Sequence, residues 1–334
     1  VEAENARRYI AKTCDTVDEA IKDSFLSYQR EVVPLYSELN DNLDRKYLSS
    51  PARSNLPARY ELFDRRRKTR AELFRKENTS LETKDTELYS KYMEIQGAIT
   101  VEIDGETLTA QQCSALLEKP DRELRKRAFR KLAERRLQDR ESIEELFDQQ
   151  LATRHQIALN AGYDNYRDYR FQELCRFDYG PGDCAAFHTA VEEIVVPAVG
   201  ALTRKRTEKL SIDSLRPWDR VVSPFGRPPS APFETEREYI EKTQTLFRAV
   251  DPIFEKEFDI LDRNGLLDLM SRPGKAPGGY MYSIEDMRLP FIFFNAVGTH
   301  SDIQTLLHEG GHAFHTLATR DEPIGDYRSA PMEF

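Results

Sequence analysis

Four of the six histidines in this 334-residue chain fall between His300 and His315, and two of them bracket a His-Glu-Gly-Gly-His run. On a helix turning about 100° per residue, His308, His312 and His315 lie within about 60° of one another. Ile303, Leu306, Leu307, Phe314 and Leu317 take the opposite side. Such a segment has to rest its apolar face on a core and leave its imidazole face open. Ser301 followed three residues later by Gln304 has the form of a capping box, which predicts a helix starting just after the Gly298-Thr299 break. Gly310 and Gly311 each cost about 1 kcal/mol relative to alanine inside a helix, so a close neighbour of the backbone is expected there, a strand or a substrate.

Two imidazoles one helical turn apart can reach a common ion, and zinc favours tetrahedral nitrogen ligands. The spacing therefore nominates His308 and His312 as ligands of one Zn²⁺, with Glu309 beside the water that such an ion would hold. A chance His-Glu-x-x-His run in this composition arises about once in a hundred chains of this length. His315 reads as a supporting or solvated side chain rather than a ligand. The metzincin pattern is excluded, because His315 stands where that pattern has glycine and Ala318 where it has histidine. A later glutamate must complete the metal set, and within the chain only Glu322 and Glu333 follow the motif. Glu322 adjoins Pro323 in a turn-like stretch, which leaves Glu333 as the better internal candidate.

The rest of the chain reads as mainly helical. Ile21, Phe25 and Tyr28 keep helical spacing, and Pro34 suits the first turn of a helix following Val33. Thr100 to Leu108 alternates around Asp104-Gly105, the signature of one small hairpin. Asp121 is placed to cap a long helical pattern, continuous or kinked, that stops near Asn160 and Gly162. Five of the 17 prolines lie between Arg216 and Pro232, which rules out a helix or central strand there. A helix is expected from Glu234 to about Val250, and short strands over Tyr280 to Ser283 and Phe291 to Asn295.

A net charge of −9 argues against nucleic acid or an anionic membrane as partner, and no unbroken apolar run reaches the length of a membrane span. The basic run Arg65, Arg66, Arg67, Lys68 and Arg70 reads as a solvated helix face rather than a nucleic-acid patch. Cys14, Cys113, Cys175 and Cys184 lack metal-knuckle spacing, so reduced thiols and a cytoplasmic location are expected.

The stretch GKAPGGYMYSIEDMRLPFIFFNAVGTHSDIQTLLHEGGHAFHTLATRDEPIGDYRSAPMEF resembles the thimet oligopeptidase and oligoendopeptidase F family of zinc metallopeptidases, in particular its bacterial oligoendopeptidase branch. AGYDNYRDYRF from Ala161 and LRPWDRVVSPFGRPP from Leu215 resemble the same branch, so the likeness covers most of the chain. It implies two helical lobes flanking a deep substrate channel, with a small β-sheet next to the zinc-binding helix. It also implies a division into a helical lobe over residues 1–160, carrying the hairpin near 100–108, and the start of a catalytic lobe over 161–334. By the same comparison His308 and His312 bind zinc and Glu309 is the general base. The family's third ligand, a glutamate on a following helix, would fall just beyond Phe334, with Glu333 its neighbour. An edge strand near Gly278, Gly279 and Tyr280 would offer backbone groups to an extended peptide. The expected activity is hydrolysis of short peptides. The competing expectation is a non-catalytic helical scaffold with a structural or vestigial metal site.

Overall fold

The computed structural model describes residues 1–333, so the last position of the expected catalytic lobe lies outside the described residues. Helix accounts for 66% of it, so the architecture is mainly α. The chain opens with α1 (Glu2–Cys14), α2 (Glu19–Glu31), α3 (Val33–Leu48), α4 (Glu61–Leu73) and α5 (Asn78–Gly97). Pro34 stands in the first turn of α3, where its missing N–H costs nothing. The hairpin follows as β1 (Thr100–Ile103) and β2 (Glu106–Thr109), antiparallel and turned by Asp104 and Gly105 at φ 52° and 89°. After α6 (Ala110–Ala115), the long helical pattern resolves into α7 (Arg122–Gln138) and α8 (Arg140–Asn160), broken at Asp139. Asp121 caps α7 by accepting from the Glu123 and Leu124 amides.

Beyond α9 (Tyr166–Glu173), α10 (Pro181–Ala190) runs through a π-turn at Val191–Val195 into α11 (Val196–Lys209). The three form one continuous helix. Over its 29 residues, Pro181–Lys209, it is long and apolar enough to cross a membrane, and none of its most apolar stretch is buried. Glu192 and Glu193 interrupt the apolar residues, which is why no unbroken run appears in the sequence. The proline-rich stretch is irregular apart from a short 3-10 turn at Pro217–Asp219. There Asp219 is wholly buried and accepts from Arg122, Arg125 and the Arg216 amide.

The last third builds the support for the histidines. After α12 (Glu236–Val250) and α13 (Pro252–Arg263) come β3 (Leu267–Met270), β4 (Tyr280–Ile284) and β5 (Leu289–Ala296), then α14 (His300–Thr319). The sheet order is β3-β5-β4, with β5 parallel to β3 and antiparallel to β4. Strand β5 reads LPFIFFNA because it is central, and Ile292 and Phe293 are fully buried. One hydrophobic cluster joins Tyr239, Phe247, Phe258, Leu261, Ile292, Phe293, Leu306 and Phe314 beneath α14. Smaller clusters underlie the hairpin and the junction of α8 with α9, the latter joining Ile157 and Ala158 to Ala161 and Tyr169.

The cap of α14 differs from the expected one. Thr299 is the N-cap, and the reciprocal partner is Asp302, whose carboxylate accepts from the Thr299 amide at 2.7 Å and the Val297 amide at 2.9 Å. Ser301 and Gln304 lie within the helix, exposed. A buried carboxylate that satisfies two amides at once displaces a longer, exposed amide side chain from the role.

Candidate active site

The apolar face of α14 lies on the sheet and on α12 and α13, with Leu306 and Ala313 at zero exposure. Gly310 belongs to this face. A Cβ there would sit 2.4 Å from Cζ of Phe247, so the close neighbour is an aromatic ring of α12 and not a strand or a substrate. Gly311 points the other way, and a methyl group at that position would have nothing within 4 Å.

On the opposite face the rings of His308 and His312 meet nearly edge to face, centroids 4.7 Å apart, with their Nε2 atoms at 3.2 Å. Two nitrogens bound tetrahedrally at zinc–nitrogen distances would stand about 3.3 Å apart, so this pair fits one such ion. His308 is exposed and His312 half-buried, which leaves the pair accessible. Glu309, between them in sequence, turns inward and is buried at 7% exposure. Burial raises its carboxyl above the ordinary glutamate value. His308, His312 and the Met281 amide of β4, which donates to the carboxylate, pull in the other direction without overcoming it. A carboxylate made more basic in this way is better suited to accept a proton near neutral pH.

Neither internal candidate for a third ligand joins the pair. Glu333 accepts from Arg176 Nε at 2.5 Å and from the Tyr179 hydroxyl. Glu322 accepts from Arg59 at 3.1 Å and from the Ile324 amide at 3.0 Å. Among the described residues, no group of three His, Cys, Asp or Glu side chains is placed to hold a metal.

A cavity of 1210 Å³ opens beside the motif, lined by His312, His315 and Thr316 of α14, by Met281 to Ile284 of β4, and across from them by Arg66, Arg67 and Arg70 of α4. Its walls thus come from α14, β4 and α4. Arg65, Lys68 and Arg70 are exposed, as a solvated face requires, and Arg66 and Arg67 are half-buried. Arg67 and Arg70 both donate to buried Asp44 of α3, Arg70 also reaches Asp326 at 3.0 Å, and Arg65 stacks over Phe177 at 4.0 Å. Sequence spacing could not show this, because Asp44 and Asp326 come from distant segments.

Gly278 and Gly279 line a second cavity of 450 Å³ together with Phe294, Asn295 and Thr305. Gly278 has φ 91°, and Asn295 Nδ2 donates to its carbonyl at 2.9 Å. Tyr280 begins the edge strand, but its side chain is committed to the fold. Its ring stacks on Phe293 at 4.8 Å and its hydroxyl shares a 2.5 Å hydrogen bond with Thr13 of α1. The partner that sequence reasoning missed is Met281, which acts through its backbone and so leaves no residue-type signal.

No curated protein matches the chain. Among solved structures it is similar to a Bacillus anthracis protein described as an oligoendopeptidase F, at 24% identity and TM-score 0.92, over 98% of this chain and 60% of that one. PZ peptidase A, solved with an inhibitor, matches at 29% identity and TM-score 0.92, over 98% of this chain and 58% of that one. A further oligoendopeptidase F matches at 27% identity and TM-score 0.92, over 98% and 57%. The chain thus spans about three fifths of the length of these relatives and shares their helical fold with its small sheets. The model of peptidase family M3 matches residues 115–334, a segment that holds α14 and the sheet beneath it. On that match, which takes in the paired histidines and Glu309, the chain belongs to peptidase family M3.

Proposed function

We propose that this chain carries the water-activating part of a zinc-dependent endopeptidase acting on short peptides. The observation that supports this reading most directly is the convergence of the two Nε2 atoms at 3.2 Å beside a carboxyl that burial makes more basic. His308 and His312 would hold the ion, together with a donor from outside the described residues. The ion would supply Lewis acidity toward the scissile carbonyl and toward the attacking water.

Glu309 takes one proton from that water as its oxygen bonds to the carbonyl carbon, then passes the proton to the amine nitrogen as the C–N bond breaks. The Met281 amide of β4 favours the charged form of this carboxylate, which is the form that accepts the proton. No covalent bond to the protein forms. Gly278 and Gly279 lead into the edge strand β4 at Tyr280, and this stretch would pair with an extended peptide by strand addition. The free state of all four cysteines supports a reducing, cytoplasmic setting. Glu309→Gln in the complete protein should retain metal by elemental analysis and lose cleavage of a quenched peptide by at least 100-fold. Undiminished cleavage would remove Glu309 from the role, and metal-free protein with His308 and His312 intact would remove the zinc reading.

A further inference from the structure

The Pro181–Lys209 helix carries an apolar stripe that the described residues leave largely bare, with Val191 half-buried and the rest exposed. Phe187, Val191, Val195, Val199 and Leu202 follow at steps of four, four, four and three residues. In a regular α-helix each step of four rotates the side chain about 40°, so three of them would carry the stripe off its face. The π-turn at Val191–Val195 is wider and takes back part of that drift, and the closing step of three residues takes back the rest. Phe187, Val195, Val199 and Leu202 are 67%, 47%, 53% and 64% exposed, and Ile194 and Val196 beside them 69% and 59%. None of the helix's residues is buried. Its moorings are at one end, where Arg206 donates to the carbonyls of Asp219 and Val222 and Lys209 lies over Phe225.

We propose that this stripe is the docking surface for a helical segment of the polypeptide that makes up the remaining two fifths of the relatives' length. The three solved chains share 98% of this fold at TM-score 0.92, and each has that additional length to place against it. The stripe runs about 22 Å, the span of an ordinary helix, and offers only aliphatic and aromatic groups, as a ridge-into-groove helix contact requires. Glu192 and Glu193 sit exposed near the middle of the helix, where a bilayer would meet its hydrocarbon centre, which favours protein over lipid as the occupant.

The test compares the 334-residue chain with the full product of the gene that encodes it, each carrying Leu202→Cys in a Cys175→Ser, Cys184→Ser background. Maleimide labelling at position 202 should proceed at the rate of a free thiol in the 334-residue chain and at least 50-fold more slowly in the full product. Val195→Glu with Leu202→Glu should lower the Tm of the full product while leaving that of the shorter chain unchanged. Equal labelling rates in the two proteins would overturn the proposal. Protection of the shorter chain by phosphatidylcholine–phosphatidylglycerol vesicles, or by its own concentration, would also overturn it, since lipid or a second copy would then be the occupant.

Discussion

The helices Pro181–Lys209 and His300–Thr319 are both long, and each has an apolar side and an interrupting pair of unusual residues, Glu192-Glu193 in one and Gly310-Gly311 in the other. Their surroundings are opposite. The histidine helix places Ile303, Leu306, Ala313, Phe314 and Leu317 in the largest core cluster, while the other helix buries nothing. Apolar patterning marks a face that wants a partner. Whether the partner is present decides if the same pattern becomes a rigid platform for chemistry or an open surface.

The sharpest way to break this contrast is at the mooring of the exposed helix. Asp219→Ala leaves Arg125, itself 4% exposed, without its carboxylate and should cost about 3–5 kcal/mol in denaturant unfolding. Burial alone would raise the Asp219 carboxyl, but hydrogen bonds from Arg122, Arg125 and the Arg216 amide outweigh it and hold the group at about 2. Because this lies below the value of about 3.9 in an unfolded chain, the stabilisation is complete above pH 4 and disappears as pH falls through 2. Amide exchange in 196–209 should rise in that window before exchange in the histidine helix does. If the two rise together, Asp219 is not a local mooring.

Leu306→Ala removes a fully buried side chain from beneath the histidines and should cost about 3 kcal/mol, read as a lower urea midpoint. The two glycines sharpen the picture within one helix. Gly310→Ala drives a methyl into Phe247 and should destabilise by about 2 kcal/mol. Gly311→Ala meets open space and should stabilise by about 1 kcal/mol through helix propensity. The smallest effect is expected on the bare stripe, where Leu202→Ala should change the stability of this chain by no more than about 0.5 kcal/mol. A loss near that of Leu306→Ala would mean that Leu202 is packed after all.

Much of this was legible beforehand because the signals are local. Asp104-Gly105 accepts left-handed backbone, so the hairpin had to turn there, and Asp121 caps α7 from two residues away. Strands β4 and β5 were likewise visible from their apolar content, whereas β3 (Leu267–Met270) was not anticipated. What misled were choices between neighbours of similar chemistry, such as Thr299-Asp302 over Ser301-Gln304, which burial of Asp302 decided. The acids that balance the arginine run were hidden for a related reason, since Asp44 and Asp326 stand far away in the chain.

By itself the sequence determined that His308 and His312 lie one turn apart on a helix with a greasy back, because a fixed helical period converts spacing into direction. Only the tertiary structure decided that their Nε2 atoms converge, that Glu309 turns inward to the Met281 amide, that Gly310 makes room for Phe247, and that the Pro181–Lys209 stripe stays bare. Those outcomes depend on which distant segment packs against each face, and periodicity carries no information about the neighbour.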